Sequence, residues 1–346
     1  MPVQQHIEDK MGIQSLHSHT KLSDGKLSHL EVLAAAEKAG IEVLAFTDHD
    51  FLPDEKILNE LKSYSGPVKW LIGIEMSSGL PQELGGGVNG PHVIGLFVDP
   101  KNPGLVEYCR RSQEAREERM RKTVINFQEL GFDITEEDCL RFTTGATIGQ
   151  PHIVEALKSK PENLKLIAEF KEKMRIAAES DPQLKQKYDY MKQRGESQEV
   201  YMLFMNENSF MPTRSPMEYW EDLDNCAKLI REAGGVISIA HYSYSRGDLP
   251  MEIIEKLLSE DRIDGMEIVY GIDSMRTDVG PIFEQDKLKI KELLKKYNKL
   301  STGGSDAHKE EDFYKFADNK DYSSETKGLL EKIIEQKNPD TTYSNI

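Results

Sequence analysis

Short apolar runs alternate with longer amphipathic stretches along the first hundred residues of the chain. Residues 12–17, 41–47, 68–76 and 92–98 are apolar runs of strand length, rich in β-branched and aromatic side chains. Residues 28–39 and 54–63 carry helical periodicity instead. Ser28 stands where an N-cap belongs, Glu31 follows three residues later as in a capping box, and Gly40 supplies the stop. This is a βα rhythm, the pattern of parallel sheets and barrels.

The rhythm breaks after Pro103. Residues 105–214 read as mostly helical and highly charged, with one long helix over 110–130 and punctuation at Pro161, Pro182 and Gly195. It then returns: helix 216–233, strand 236–240, helix 251–258, strand 265–269, helix 283–296, strand 300–303, a last helix over 324–335 and a polar tail. The expected division is a barrel in two parts, 1–104 and 215–346, around a helical insertion domain at 105–214. No internal repeat is visible. Gly85-Gly86-Gly87 lacks a following Gly-Lys-Ser/Thr, so it is not read as a phosphate-binding P-loop.

The chemistry-bearing residues cluster at the ends of these strands. Seven of the nine histidines lie in short segments with an Asp, a Glu or a turn residue. His17 and His19 are two apart at a strand end, which puts both on one face. Asp24 follows in the turn-like Ser23-Asp24-Gly25. His49 is flanked by Asp48 and Asp50, which can ligate a metal or orient the imidazole. Glu75 ends the third strand, His92 opens the fourth, His241 follows 236–240, and Asp306 and His308 follow the last strand. Taken singly, each is more ordinarily a capping, hydrogen-bonded or solvated residue. Taken together, they are a mixed imidazole and carboxylate set of the kind that binds Zn, Mn or Fe, and in a barrel the strand ends meet at one mouth. His6 and His29 fall outside the pattern.

Composition narrows the picture. The 346 residues carry 38% hydrophobic side chains, enough for a large core. A net charge of −16 excludes a globally basic surface, so no duplex DNA partner is expected. An anionic small molecule stays compatible, because bound divalent ions invert the local charge. Cys109, Cys139 and Cys226 share no paired spacing and read as free thiols of a reducing compartment. No apolar run reaches membrane-spanning length and residues 1–10 are polar, so a cytoplasmic location and no membrane partner are expected.

The sequence resembles the PHP (polymerase and histidinol phosphatase) family of phosphoesterases. The resemblance rests on His17-Ser18-His19-Thr20, Ser23-Asp24-Gly25, Thr47-Asp48-His49-Asp50, Gly73-Ile74-Glu75, His92-Val93-Ile94-Gly95, Ala240-His241 and Gly304-Ser305-Asp306-Ala307-His308, in the family's order. It implies an α/β fold, a distorted (β/α)7 TIM-like barrel, with two or three divalent metal ions at the strand C-termini. It implies ligands His17, His19, Glu75 and Asp306 for one ion, Asp24, His49 and His308 for a second, and Glu75, His92 and His241 for a third. Asp24, His49, Glu75 and Asp306 would be the catalytic core, and a hydroxide bridging two metals would attack phosphorus.

Within the family, the chain is similar to the branch that hydrolyses nucleoside 3′,5′-bisphosphates or trims short RNA from its 5′ end, so a nucleotide or short RNA is the expected partner. That branch shares a helical insertion. It also carries an Arg-rich helix, matched here by Arg116 and Arg119, and a Gly-Arg-Pro-His segment, matched by Gly149-Gln150-Pro151-His152. The resemblance makes His152, Arg116 and the nearby Arg246 candidate substrate contacts. Gln150 stands where Arg is common and Tyr242 where Pro is common. The loss of a guanidinium fork at Gln150 removes a strong phosphate binder. Ion pairs with neighbouring glutamates explain Arg116 and Arg119 equally well. Tyr242, Tyr244 and Tyr270 follow strand ends, where they can stack on a base or pack in the core. The alternatives are a histidinol phosphate type of small-molecule phosphatase, a metal-stabilised binding module without activity, and a metal-dependent amidohydrolase, for which no strand-end lysine is found.

Overall fold

Seven strands form a ring. In chain order they are β1 (Ile13–Ser15), β2 (Ile41–Phe46), β3 (Lys69–Gly79), β4 (His92–Leu96), β6 (Val236–Ile239), β7 (Gly265–Val269) and β8 (Leu300–Gly303), while the two-residue β5 (Glu221–Asp222) pairs off the ring with β3. The structure, a computed structural model, describes residues 12–346 apart from 88–89, 144–146, 197, 207, 243–248 and 272–279. Neighbours in the ring pair in the order β1-β2-β3-β4-β6-β7-β8. The chain beyond β1 then bonds to the chain beyond β8: Leu16 N donates to Gly303 O (3.0 Å), Asp306 N to His17 O (3.1 Å) and His19 N to Ala307 O (2.9 Å). Ser18 and Ala307 form a parallel bridge there. The result is the TIM-like barrel that the resemblance implies, and it accords with the βα rhythm.

One strand departs from that rhythm. β4 runs antiparallel to both β3 and β6. A parallel return needs a crossover of a dozen or more residues, usually a helix. Between Gly79 and His92 the described chain offers only the short turn Gln82–Leu84, so β4 must reverse. The reversal is what places His92, at the start of β4, at the same end of the barrel as the C-termini of the parallel strands.

Local signals set the helices. Ser28 caps His29–Lys38 with a complete capping box to Glu31, Ala39 closes it, and Gly40 follows at φ 73°. Asp54 caps Glu55–Lys62. Asp222 caps Leu223–Glu232, so the helix expected from residue 216 starts only after β5. The last helix is Leu329–Lys337 rather than 324–335, because Lys327 is extended and Gly328 takes φ 76°. Leu329, Leu330 and Ile333 of that helix pack with Leu16, Val43, Leu71, Leu96, Val236 and Leu300. Most of these come from the starts of parallel strands or the end of β4, so the helix plugs the barrel opposite the histidines. Part of the polar tail is structured: Ile72 N donates to Tyr343 O and Asn345 N to Trp70 O, both at 3.1 Å, continuing the sheet where β4 no longer reaches.

The chain divides into two compact units, one comprising residues through Ser112 and from Trp220 to Ile346, the other Gln113–Tyr219. The second unit holds the later part of the helix Pro103–Glu129 and the helices Gln150–Lys158, Pro161–Ala177 and Pro182–Arg194, the last two each opening on a proline. Its core is built on Phe127, Phe132, Phe170 and Phe204, mostly in edge-to-face contact. All three cysteines are free and buried. Among the described residues, no helix is long and apolar enough to cross a membrane.

Candidate metal centre

Strand geometry aims the first two histidines. Ser18 turns outward, its hydroxyl donating to Ala45 O (2.7 Å), and alternation therefore sends His17 and His19 to the barrel interior. Both rings are buried and their Nε2 atoms converge on Glu75 Oε2, at 3.1 and 3.2 Å. Glu75, from the middle of β3, has no exposed side-chain surface. Its Oε2 also meets His49 Nδ1 at 3.2 Å, while its Oε1 meets His92 Nδ1 at 2.7 Å and His241 Nε2 at 2.8 Å. One carboxylate thus faces five imidazoles.

Two further acids complete the set. Asp306 Oδ1 lies 3.2 Å from His19 Nε2 and 3.4 Å from His17 Nε2. Asp24 Oδ1 lies 3.3 Å from His308 Nε2 and 3.7 Å from His19 Nδ1, and its Oδ2 lies 3.9 Å from His49 Nε2. All nine side chains expected as ligands fall into four overlapping groups whose donor atoms lie within 4.8 Å of one another. These are His19, Asp24, His49, His308; His17, His241, Asp306; His17, His19, Glu75; and His49, Glu75, His92. These groups place His241 with His17 and Asp306, and His49 with Glu75 and His92, while the contacts of His92 and His241 to Glu75 Oε1, and the group of Asp24, His49 and His308, match the sets the resemblance implies.

Neighbouring groups fix the tautomers. His308 Nδ1 lies 2.9 Å from the carbonyl of Asp306, which can only accept, so Nδ1 carries the proton and a neutral His308 turns the lone pair of Nε2 toward Asp24. His17 Nδ1 lies 3.0 Å from Glu267 Oε1. Glu267 was not among the sequence candidates. Its signal was a lone acidic residue inside the apolar run Gly265–Val269, and it is buried. His241 at φ 23° and Asp306 at φ 48° hold positive-φ conformations uncommon outside glycine, of the kind that cluster where a site imposes geometry.

Asp48 and Asp50 belong to none of the ligand groups. Asp48 accepts from Thr20 N (2.7 Å), Thr20 Oγ1 (2.8 Å) and Ser23 Oγ (2.6 Å), and so shapes the turn that carries Asp24. In that turn a Cβ on Gly25 would sit 2.6 Å from His19 O, which is why the position needs glycine. Asp50 accepts from Ser77 N at 3.0 Å and from the Tyr108 hydroxyl. Replacing Asp48 by Ala leaves the buried Thr20 N–H unpaired. The expected result is a loss of about 1–3 kcal/mol in urea unfolding. An unchanged midpoint and slope would remove Asp48 from this role.

The electrostatics show what the cluster lacks. Burial opposes charging of His19, yet hydrogen bonds to Asp306 and Glu75 outweigh it and lift the imidazole to about 10. Burial likewise opposes charge on His17, but Glu267, Asp306 and Glu75 drive it well above its ordinary value. His49 goes the other way: burial dominates and lowers it to about 4. Burial works against ionisation of Glu75 and Asp24, yet the surrounding histidines hold both well below the usual carboxylate range. Buried carboxylates thus demand positive charge. His49 Nδ1 and Asp24 Oδ1 are moreover buried and make no aligned hydrogen bond, although Glu75 Oε2 and His308 Nε2 lie 3.2 and 3.3 Å from them. Divalent cations would meet both needs, so the residues present fit a metal centre.

Arg116, Arg119 and His152 belong to the second unit. Both arginines are buried, and Arg121 makes exposed ion pairs with Glu117 and Glu118. His152 Nδ1 accepts from Gly149 N at 2.9 Å, closing the helix N-terminus. Arg246 and Tyr244 fall outside the described residues. Tyr242 and Tyr270 are buried, and Tyr270 packs edge-on to His241 with ring centres 6.2 Å apart.

The chain matches the PHP domain over residues 15–338 and belongs to that family. Among curated relatives it is similar to a phosphoribosyl 1,2-cyclic phosphate 1,2-diphosphodiesterase of Eggerthella lenta, 32% identical over 150 residues, covering 43% of this chain and 55% of the relative. It is also similar to the 5′-3′ exoribonuclease Rnm of Salmonella typhimurium (29% identical; 42% and 48% covered) and to a 3′,5′-nucleoside bisphosphate phosphatase of Chromobacterium violaceum (30%; 34% and 38%). The chain thus spans about half the length of the curated relatives it matches, or less. Two solved structures share the fold at a TM-score of 0.59 and 21% identity. One is a candidate metal-dependent phosphoesterase of Bifidobacterium adolescentis (85% of this chain, 87% of that one), the other an amidohydrolase of Chromobacterium violaceum with bound sulfate and no metal (86% and 87%).

Proposed function

We propose that this protein is a metal-dependent hydrolase of phosphate esters carried on ribose. The observation that carries the reading is the convergence of His17, His19, His49, His92 and His241 on the two oxygens of one buried carboxylate, Glu75, with Asp24, Asp306 and His308 beside them. In the proposed arrangement these nine side chains would hold two or three divalent ions of Zn, Mn or Fe, with Glu75 common to two of the ligand groups. Bound there, such ions supply a Lewis acid for phosphoryl oxygens and acidify water. The residues themselves orient and neutralise. Glu75 is shielded from bulk water, which strengthens its field, while Asp24 and Asp306 are both partly exposed. No side-chain nucleophile is required.

Three relatives support the substrate class. Their names describe a phosphoribosyl cyclic phosphate, a nucleoside bisphosphate and RNA, and each of these bears its reacting phosphate on a ribose. The test is product release with Mn²⁺ supplied from adenosine 3′,5′-bisphosphate, a phosphoribosyl 1,2-cyclic phosphate, 5′-phosphorylated short RNA and histidinol phosphate. Turnover of at least one ribose ester, well above that of histidinol phosphate, is expected. Turnover of histidinol phosphate alone would transfer the protein to small-molecule phosphatases, and silence on all four would favour a binding module.

A further inference from the structure

We infer that Glu267 is a positioning residue that sets the tautomer of His17 and the backbone of His241 together, making one ligand unit of two histidines far apart in the sequence. The inference deepens the metal-centre reading and rests on it. Glu267 is buried on β7, immediately before an irregularity in the pairing with β8 that re-aims the strand. Its two oxygens are divided: Oε1 lies 3.0 Å from His17 Nδ1, and Oε2 accepts from His241 N at 2.7 Å. The two rings so held stack with centres 5.6 Å apart and reach Glu75 from its two different oxygens. With Asp306 they form one of the four candidate ligand groups. Glu267 is not itself in any group.

The geometry requires two acceptors. A carboxylate provides them, so His17 keeps its proton on Nδ1 and presents the Nε2 lone pair to the mouth. The second contact also pins His241, whose φ of 23° puts its backbone in a costly region. A glutamine of the same size provides only one acceptor. The His241 N–H cannot relocate, so it keeps the amide oxygen. The amide NH2 then faces His17 and forces the proton from Nδ1 to Nε2, which removes the ligating lone pair.

Glu267→Gln and Glu267→Asp test this in the full chain. Ring ¹⁵N resonances of His17 in metal-free protein, assigned by their loss in His17→Gln and read at a pH above the raised pKa of the ring so that the imidazole is neutral, report the tautomer, and chelator competition reports Zn²⁺ affinity. Glu267→Gln is expected to move the His17 proton to Nε2 and weaken Zn²⁺ binding by about 10- to 100-fold, the usual effect of removing a partner that orients a ligand. Glu267→Asp, which keeps two acceptors, is expected to retain the Nδ1–H tautomer and lose less affinity. An Nδ1–H signal and Zn²⁺ affinity unchanged in Glu267→Gln would overturn the assignment. So would equal losses in both variants with no tautomer change. The ring signal is read without metal or substrate, so silence across the substrate panel would leave this test intact.

Discussion

Glu75→Gln is expected to lower phosphate release by on the order of 10³-fold and to strip bound metal, while the far-UV circular dichroism stays that of the wild type. The substitution keeps the volume and removes the charge and one acceptor. Five imidazoles approach the two oxygens of this carboxylate at 2.7–3.2 Å, and no other side chain in the cluster faces so many. Loss of its charge weakens more than one ion at once, and each electrostatic contact to a developing phosphoryl charge is worth about 10²–10³ in rate. The sheet pairing of β3 uses backbone groups only, so the barrel does not depend on the side chain. Turnover within about tenfold of the wild type, measured on whichever ribose ester is cleaved, would show that Glu75 does not bridge ions.

Chelation is expected to have the second-largest effect. Dialysis against a strong chelator should reduce turnover to background, and Mn²⁺ or Fe²⁺ added back should restore it. The same treatment should lower the melting temperature, because cations that bind only the folded state stabilise it. A site filled at a hundred times its Kd contributes about 2.7 kcal/mol, and losing that lowers Tm by about 4 °C in a chain of this size. Without cations the buried carboxylates rely on protonated histidines such as His19, lifted to about 10 by Asp306 and Glu75 against burial. A chelated protein with unchanged turnover and Tm would mean that protons alone satisfy the cluster.

Much of this was legible in the chain, for identifiable reasons. Strands β2, β6, β7 and β8 are short apolar runs bounded by helix stops and turn residues, and their observed bounds lie close to the expected ones. The capping box at Ser28 and Glu31 is a purely local device, and it forms. His17 and His19 share a face because a strand repeats every two residues. What was hidden depends on contacts distant in sequence. The direction of β4 follows from the short connection after β3. The hydrogen-bonding role of Asp48 requires Thr20 and Ser23 to fold over it, so the sequence left metal contact and scaffolding open. Glu267 meets His17 across 250 positions, and only its odd placement in an apolar strand hinted at it. The grouping of ligands depends on where Glu75 directs its two oxygens, and no spacing encodes that. The tail at Tyr343–Asn345 reads only as polar, yet its backbone joins β3, because sheet pairing asks little of side-chain polarity.

The most direct test is the metal content of the purified full chain, measured by elemental analysis beside Asp306→Ala. Two or three divalent ions per wild-type chain are expected, with at least one fewer in the variant at unchanged circular dichroism, because Asp306 joins His17 and His241 in one group and lies 3.2 Å from His19. A wild-type chain that retains no divalent ion when Zn²⁺, Mn²⁺ or Fe²⁺ is supplied, or equal content in both proteins, would contradict it.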